Sequence, residues 1–405
     1  MTSHAFDTSA AGRAAVCPFM PVFGPPQVMF VRGEGTELWD VDGKRYLDFL
    51  CGLAVTSLGH SNPAVTRAIT EQAGRLLHVS NFFTNDAATE AAVALRDLLT
   101  EATGDVGQVF FCNSGAEANE AALKLARKFG GRGRHIVISA YGSFHGRTLA
   151  ALAATGQPAK HEPFFPMPDG FRHAAYGDLA ALEAAIDPSV SAVIIETVQG
   201  EGGVVPADPE YLRGIRRVCD ERGMLLIIDE VQTGFARTGR WFGFQHAGVR
   251  PDVVTMAKAM GNGFPVGAVW ARTDVAAAFQ PGDHGSTYSG TAIATAVVRT
   301  VIEEMRRLDA PALAETKGAS LRAKLEAIPQ VRSVRGQGLL LAAELGDGAD
   351  AKAVYTELLA RGLVTNAVTA TALRLAPPIT VSGAEIDEAV ALIADVLAAG
   401  IGGPA

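Results

Sequence analysis

The sequence predicts an α/β protein: a large domain on a mostly parallel sheet flanked by helices, followed by a small α+β domain. Three observations carry that expectation. From Val109 onward, short and almost wholly apolar runs alternate with helical stretches. Those runs lack polar alternation, as strands buried on both faces do. After an Ala-rich helical segment, Ala292–Arg307, short strands and helices mix in a different texture.

The elements follow in order. The N-terminal stretch 31–40 reads as a hairpin, with Val41-Asp42-Gly43-Lys44 as its turn. Buried strands are expected at residues 109–112, 135–139, 192–195, 225–228, 253–256 and 266–270. Helices are expected at 116–129 and Pro209–Arg222 between them. Beyond Arg307, strands are expected at 331–335, 339–345 and 373–376, with helices at 351–361 and 384–398. The implied division is 1–70 joining the small domain and lining the site entrance, 71–300 as the large domain, and 301–405 as the small one.

Composition removes several function classes. A chain of 405 residues can bury a large core. A net charge of -8 with both signs interspersed argues against a nucleic-acid footprint, which needs a basic face. Cys17, Cys51, Cys112 and Cys219 are scattered without CxxC or zinc spacing, so reduced, buried thiols are expected and no metal site. No apolar run reaches the roughly 20 residues of a membrane helix. The first sixteen residues lack the pattern of a secretory signal and read as a frayed end, which makes a cytoplasmic protein the default.

The chemistry starts with two strand ends. The run at 225–228 leads into Asp229-Glu230-Val231-Gln232, and the run at 253–256 leads into Ala257-Lys258. A lysine there can condense with an aldehyde cofactor, and a buried acid can keep that cofactor's pyridinium nitrogen protonated. Pyridoxal phosphate needs both. Cys112-Asn113-Ser114-Gly115-Ala116-Glu117 follows a strand and opens a helix with capping-box spacing. It is either an ordinary capped helix or a phosphate seat, where free N–H groups and the macrodipole favour a dianion. In Gly142-Ser143-Phe144-His145-Gly146-Arg147, Phe144 could stack on a flat ring and Arg147 could hold a carboxylate. The alternative is a core Phe and a solvated Arg, and His145 by itself reads as structural. Glu196 ends a strand, and Glu201 sits among glycines; each reads as a base, a gate or a turn residue. Arg374, flanked by apolar residues, needs an anion partner of either a structural or a functional kind. The glycine-hydroxyl loop 284–290 could add phosphate contacts.

Taken in order, NSGAEANEAALKLAR, FHGRT, QGEGG, IIDEVQTGFARTG, the Lys258 context, HGSTY and LRLAPP resemble the class III (ω-amino) aminotransferases of pyridoxal phosphate fold type I. The resemblance runs from about Gly24 to the end. FVRGEG, LWDVDGKRYLDF, LHVSN and TALRLAPP resemble the acetylornithine branch most. The resemblance implies Lys258 as the cofactor-binding and proton-shuttling lysine, with Asp229 on the pyridinium nitrogen. Val231 and Phe144 would sandwich the ring, and Gln232 would reach its phenolic oxygen. Gly115 and Ala116 would bind the phosphate through backbone N–H, with Glu230 also among the cofactor contacts. Ser286 and Thr287 would reach the neighbouring subunit's cofactor and substrate, which implies a homodimer with shared sites. Arg147 and Arg374 would bind substrate carboxylates, with Glu201 gating Arg374. Leu53 replaces a tyrosine of ornithine δ-aminotransferases, leaving room for an acylated nitrogen.

The resemblance therefore implies transfer of the δ-amino group of N2-acetylornithine to 2-oxoglutarate, in arginine biosynthesis. Succinylornithine, succinyl-diaminopimelate, GABA, putrescine or another amine are alternatives. Racemase, decarboxylase and non-enzymatic readings stand further off, since Arg374 and Glu201 suit two donors and both Lys258 and Asp229 are present. Three departures from the family pattern surround the site: Gly261-Asn262-Gly263-Phe264-Pro265, Ser289-Gly290-Thr291-Ala292, and Thr197 where proline is usual.

Overall fold

The computed structural model describes residues 19–346 and 348–401. The first strands are β1 (Phe30–Glu34), β2 (Glu37–Asp40) and β3 (Arg45–Asp48). They form a three-stranded meander rather than one hairpin. β1 pairs with β2 across Gly35-Thr36, and Val41 to Lys44 turns β2 into β3. The positive φ at Gly35 and Gly43 explains why both turns need glycine.

The large sheet contains β4 (Gly107–Cys112), β5 (Ile136–Ala140), β6 (Phe171–Ala174), β7 (Val190–Glu196), β10 (Leu225–Asp229), β11 (Val253–Met256) and β12 (Gly267–Arg272). A small hairpin, β8 (Val198–Gln199) with β9 (Val205–Pro206), lies between β7 and β10 in the chain. The order across the sheet is β4-β12-β11-β10-β7-β5-β6. Pairing is parallel except along β12, which is antiparallel to both β11 and β4. Six strands (β4, β5, β6, β7, β10 and β11) therefore end at the same edge of the sheet. β7 and β10 are buried at every residue, as their continuous hydrophobicity requires. The edge strand β6, Phe-Arg-His-Ala, has no such run to announce it.

Helices cover both faces and give two apolar layers. The Gly115–Gly130 helix is capped by Ser114 and carries Glu117 in its first turn and Arg127 and Lys128 in its last, matching the macrodipole. The Pro209–Arg222 helix starts on Asp208 and Pro209 and stops at left-handed Gly223.

The C-terminal part holds β13 (Val331–Gln337), β14 (Leu340–Leu345), β15 (Leu363–Val364), β16 (Asn366–Ala367) and β17 (Ala372–Leu375). β13, β14, β17 and β16 make an antiparallel sheet, backed by helices Ala310–Glu326, Ala351–Ala360 and Gly383–Ala398. β15 instead pairs in parallel with β3, so the N-terminal meander and the C-terminal part share one sheet. Cys51, Cys112 and Cys219 are buried free thiols. Cys17 and the expected frayed first sixteen residues lie outside the described residues. No helix among the described residues is long and apolar enough to cross a membrane.

Candidate active site

The strand ends gather around a cavity of about 390 Å³. Crevices at the carboxyl ends of parallel strands are where α/β folds bind ligands. Asp229 is the last residue of β10. Its Oδ2 accepts from Asn119 Nδ2 and from His145 Nδ1, each at 2.8 Å, and its Oδ1 accepts from Val231 N at 3.0 Å. Burial opposes a charge on His145, but the bond to Asp229 and its charge raise the imidazole above its ordinary value. The histidine is thus a buttress for the acid. Asn119 is not singled out by the sequence; its one signal is its place one helical turn beyond Gly115.

Lys258 follows β11 in a left-handed conformation, φ 49°, and lines the cavity. Its Nζ makes no hydrogen bond or ion pair among the described residues. Burial holds its amine below the ordinary lysine value, helped by Arg374 and opposed by Glu201, Asp229 and Glu196. A neutral amine is the nucleophilic form. Glu196, at the end of β7, accepts from Phe144 N at 3.0 Å, and burial pushes its carboxyl up to about 7.

Ser114 Oγ accepts from Glu117 N, as the capping spacing predicts. The Glu117 carboxylate turns back to accept from Asn113 N, and the N–H groups of Gly115 and Ala116 stay open at the cavity. A Cβ on Gly115 would stand 2.8 Å from Val231 Cγ1, so glycine keeps the seat open. Gly115, Ala116, Phe144, Val231 and Gln232 all line the same cavity. The assigned side-chain oxygen of buried Gln232 has no partner, and the amide can turn to present its N–H instead.

Glu230 points elsewhere. Its carboxylate accepts from Thr233 Oγ1 and from Gly243 and Phe244 N–H at 2.5–2.9 Å, on the far side of the strand end. Expected among the cofactor contacts, it caps a turn because adjacent strand residues face opposite ways. Thr287 also lies outside the cavity, in a groove with Phe82 and Phe83. Ser286 lines that groove too, and its Oγ accepts from Asn113 Nδ2 at 3.1 Å. Leu53 stands at 37% exposure, and Val55 rather than Leu53 forms the apolar wall.

Glu201 lines the cavity and pairs with Arg374 Nη1 at 2.7 Å. Arg374 is fully buried, held further by Asn366 Oδ1 and the Gly200 carbonyl. Burial works against ionised Glu201, but Arg374 outweighs it and keeps the carboxyl below its usual range. Arg147 is exposed at the mouth and has no ion pair among the described residues.

A lysine without a partner, an acid fixed at the end of the neighbouring strand and an open helix N-terminus fit pyridoxal phosphate, and the fold and site define a fold type I enzyme of that cofactor. A family model described as aminotransferase class III matches residues 21–397. The chain belongs to the class III aminotransferases, and it is a pyridoxal phosphate-dependent transaminase. It is 44% identical over 387 residues to an acetylornithine aminotransferase of Caldanaerobacter subterraneus, covering 93% of this chain and 96% of that one. It is 47% identical over 373 residues to an acetylornithine aminotransferase of Methanopyrus kandleri, covering 92% and 95%. The crystal structure of an ornithine aminotransferase from Toxoplasma gondii superposes with a TM-score of 0.88 at 33% identity, covering 96% and 94%.

Proposed function

We propose that this transaminase moves the δ-amino group of N2-acetylornithine to 2-oxoglutarate, a step of arginine biosynthesis. The observation that carries the reading is the Glu201–Arg374 pair beside an uncommitted Lys258 and Arg147. One site must take two amines: a terminal CH₂–NH₂ and the α-amine of glutamate. With Arg374 covered by Glu201, nothing beside the reacting carbon demands a carboxylate. With Glu201 moved aside, Arg374 receives the α-carboxylate of glutamate. Arg147 takes the remote carboxylate of either substrate. The relatives named above support the acyl donor, as does the Val55 wall, which offers no acid to a free α-ammonium.

When bound, pyridoxal phosphate supplies an electron sink for negative charge at the substrate carbon bearing the amine. Gly115 and Ala116 N–H would hold its phosphate, Phe144 and Val231 its ring, and Gln232 its phenolic oxygen. The Asp229 carboxylate, held by His145 and Asn119, would keep the proton on its ring nitrogen. Lys258 Nζ would take the proton from the substrate carbon and return it on the other side of the transfer.

The groove of Ser286 and Thr287, beside Phe82 at 92% and Phe83 at 72% exposure, supports a homodimer in which this loop completes the partner's site. We also infer a division near residues 1–70, 71–300 and 301–405, and a cytoplasmic location. Steady-state turnover with 2-oxoglutarate tests the assignment. N-acetylornithine should exceed ornithine and GABA at least tenfold in kcat/KM; ornithine at parity would remove the acyl-donor reading. The same preparation should sediment as a dimer, and an active monomer removes that inference.

A further inference from the structure

We propose that Lys160 is a specificity-determining residue, forming with Arg147 a two-cation seat for the remote carboxylate of both substrates. The inference deepens the transaminase reading and rests on it. Lys160 closes the short turn Pro158–Lys160, well removed in sequence from the motifs that define the site. The fold nonetheless ties its segment to the Phe144 loop. Gly142 N donates to Gly156 O at 2.8 Å, Gly156 N to Ser143 Oγ at 2.9 Å, and Gln157 Nε2 to Ser143 O at 3.0 Å. His145 N donates to Thr155 Oγ1 at 2.9 Å. Four bonds between two short segments leave Lys160 little freedom to drift from the mouth of the cavity.

Both cations converge on one ring. Lys160 Nζ lies 5.7 Å and the Arg147 guanidinium carbon 5.6 Å from the Phe144 centroid. The ring attracts each cation modestly, while the two cations repel each other. Lys160 Nζ bonds only the neutral amide oxygen of Gln157, and the Arg147 guanidinium bonds no group among the described residues. The acid that helps Lys160 keep its charge is Glu201, and Glu201 is already committed to Arg374. Two like charges held together with no acid of their own call for an anion from outside. A substrate carboxylate reaching outward from Lys258 past Phe144 meets that need. Both substrates carry one there, on a chain ending in the reacting amine.

Calorimetry of glutarate binding to holoenzyme tests the seat without turnover. The dissociation constant should rise about tenfold in Lys160→Met and return to near the wild-type value in Lys160→Arg. In turnover, Lys160→Met should raise KM for N-acetylornithine and glutamate with kcat little changed. It should leave 4-acetamidobutylamine, the same amine without its carboxylate, unaffected. Unchanged glutarate affinity, or an equal loss for 4-acetamidobutylamine, overturns the proposal. Wild-type enzyme inactive on N-acetylornithine would remove the donor assignment, and the glutarate comparison would still decide Lys160.

Discussion

At the scale of single residues, environment decides what each ionisable group does. Asp229 and Glu196 sit at neighbouring strand ends, in register across β10 and β7. Asp229 is satisfied by two side-chain donors and one backbone N–H, whereas Glu196 receives one N–H. Burial therefore lifts Glu196 to about 7, from an ordinary 4.5. A folded acid with a raised pKa binds its proton more tightly than the unfolded chain does. Its contribution is most favourable at low pH and is lost as pH climbs from about 4.5 through about 7. Glu196→Gln removes that dependence while its oxygen still accepts from Phe144. Relative to wild type, the variant should gain about 2 kcal/mol between pH 5 and pH 8. Urea unfolding of the cofactor-free protein at both pH values checks this; parallel losses contradict it. Lys258 and Asp229 were legible because their strands are continuous apolar runs. His145 was not, since a histidine beside a glycine says nothing about which acid it will meet.

At the scale of elements, the sequence marks strands and capped helices well and special backbone poorly. The Pro209–Arg222 and Ala292–Arg307 helices have the bounds expected from the sequence. The segment Cys51–Ala54 does not resemble anything in its composition, yet it forms a left-handed turn with φ of 53°, 61°, 71° and 64°. Three of its residues carry side chains, and each pays roughly 1–2 kcal/mol for that conformation. Asp48 offsets the strain. Buried at 2% exposure, it accepts from Leu50 N at 3.0 Å, Cys51 N at 2.8 Å and His60 Nε2 at 2.7 Å. Asp48→Ala strips three groups of their acceptor and should cost about 3 kcal/mol. Asp48→Asn, which keeps one oxygen for the backbone pair, should cost less. Denaturant midpoints measure both, and an alanine variant within 1 kcal/mol of wild type would contradict this account of the turn. The altered stretch at Gly261-Asn262-Gly263 has a similar explanation. Left-handed Asn262 accepts from Leu58 N at 2.7 Å and donates to Gly59 O at 3.2 Å, tying the cofactor loop to the N-terminal segment.

At the scale of the whole molecule, the site joins parts of the chain that lie far apart. Asp229 and Lys258 come from the central sheet, Val55 from the N-terminal segment and Arg374 from β17. Buried Arg237 holds these parts in register, donating to Ser57 Oγ, Leu339 O and Pro377 O at 2.5–3.1 Å. Local pattern reveals each part, but the pairing of β3 with β15 and the meeting of Glu201 with Arg374 are long-range facts. Motif order alone hinted at the second, and nothing local hinted at the first. The central claim is that Glu201, by covering Arg374, lets one site serve two kinds of amine. The direct test is a single-turnover absorbance scan of wild-type and Glu201→Ala holoenzyme, mixed separately with N-acetylornithine and glutamate. The visible cofactor band should convert quickly with both in the wild type. In Glu201→Ala the ratio of rates should shift toward glutamate by about tenfold or more. An unchanged ratio would show that Glu201 does not gate Arg374, and the two-donor account would fall.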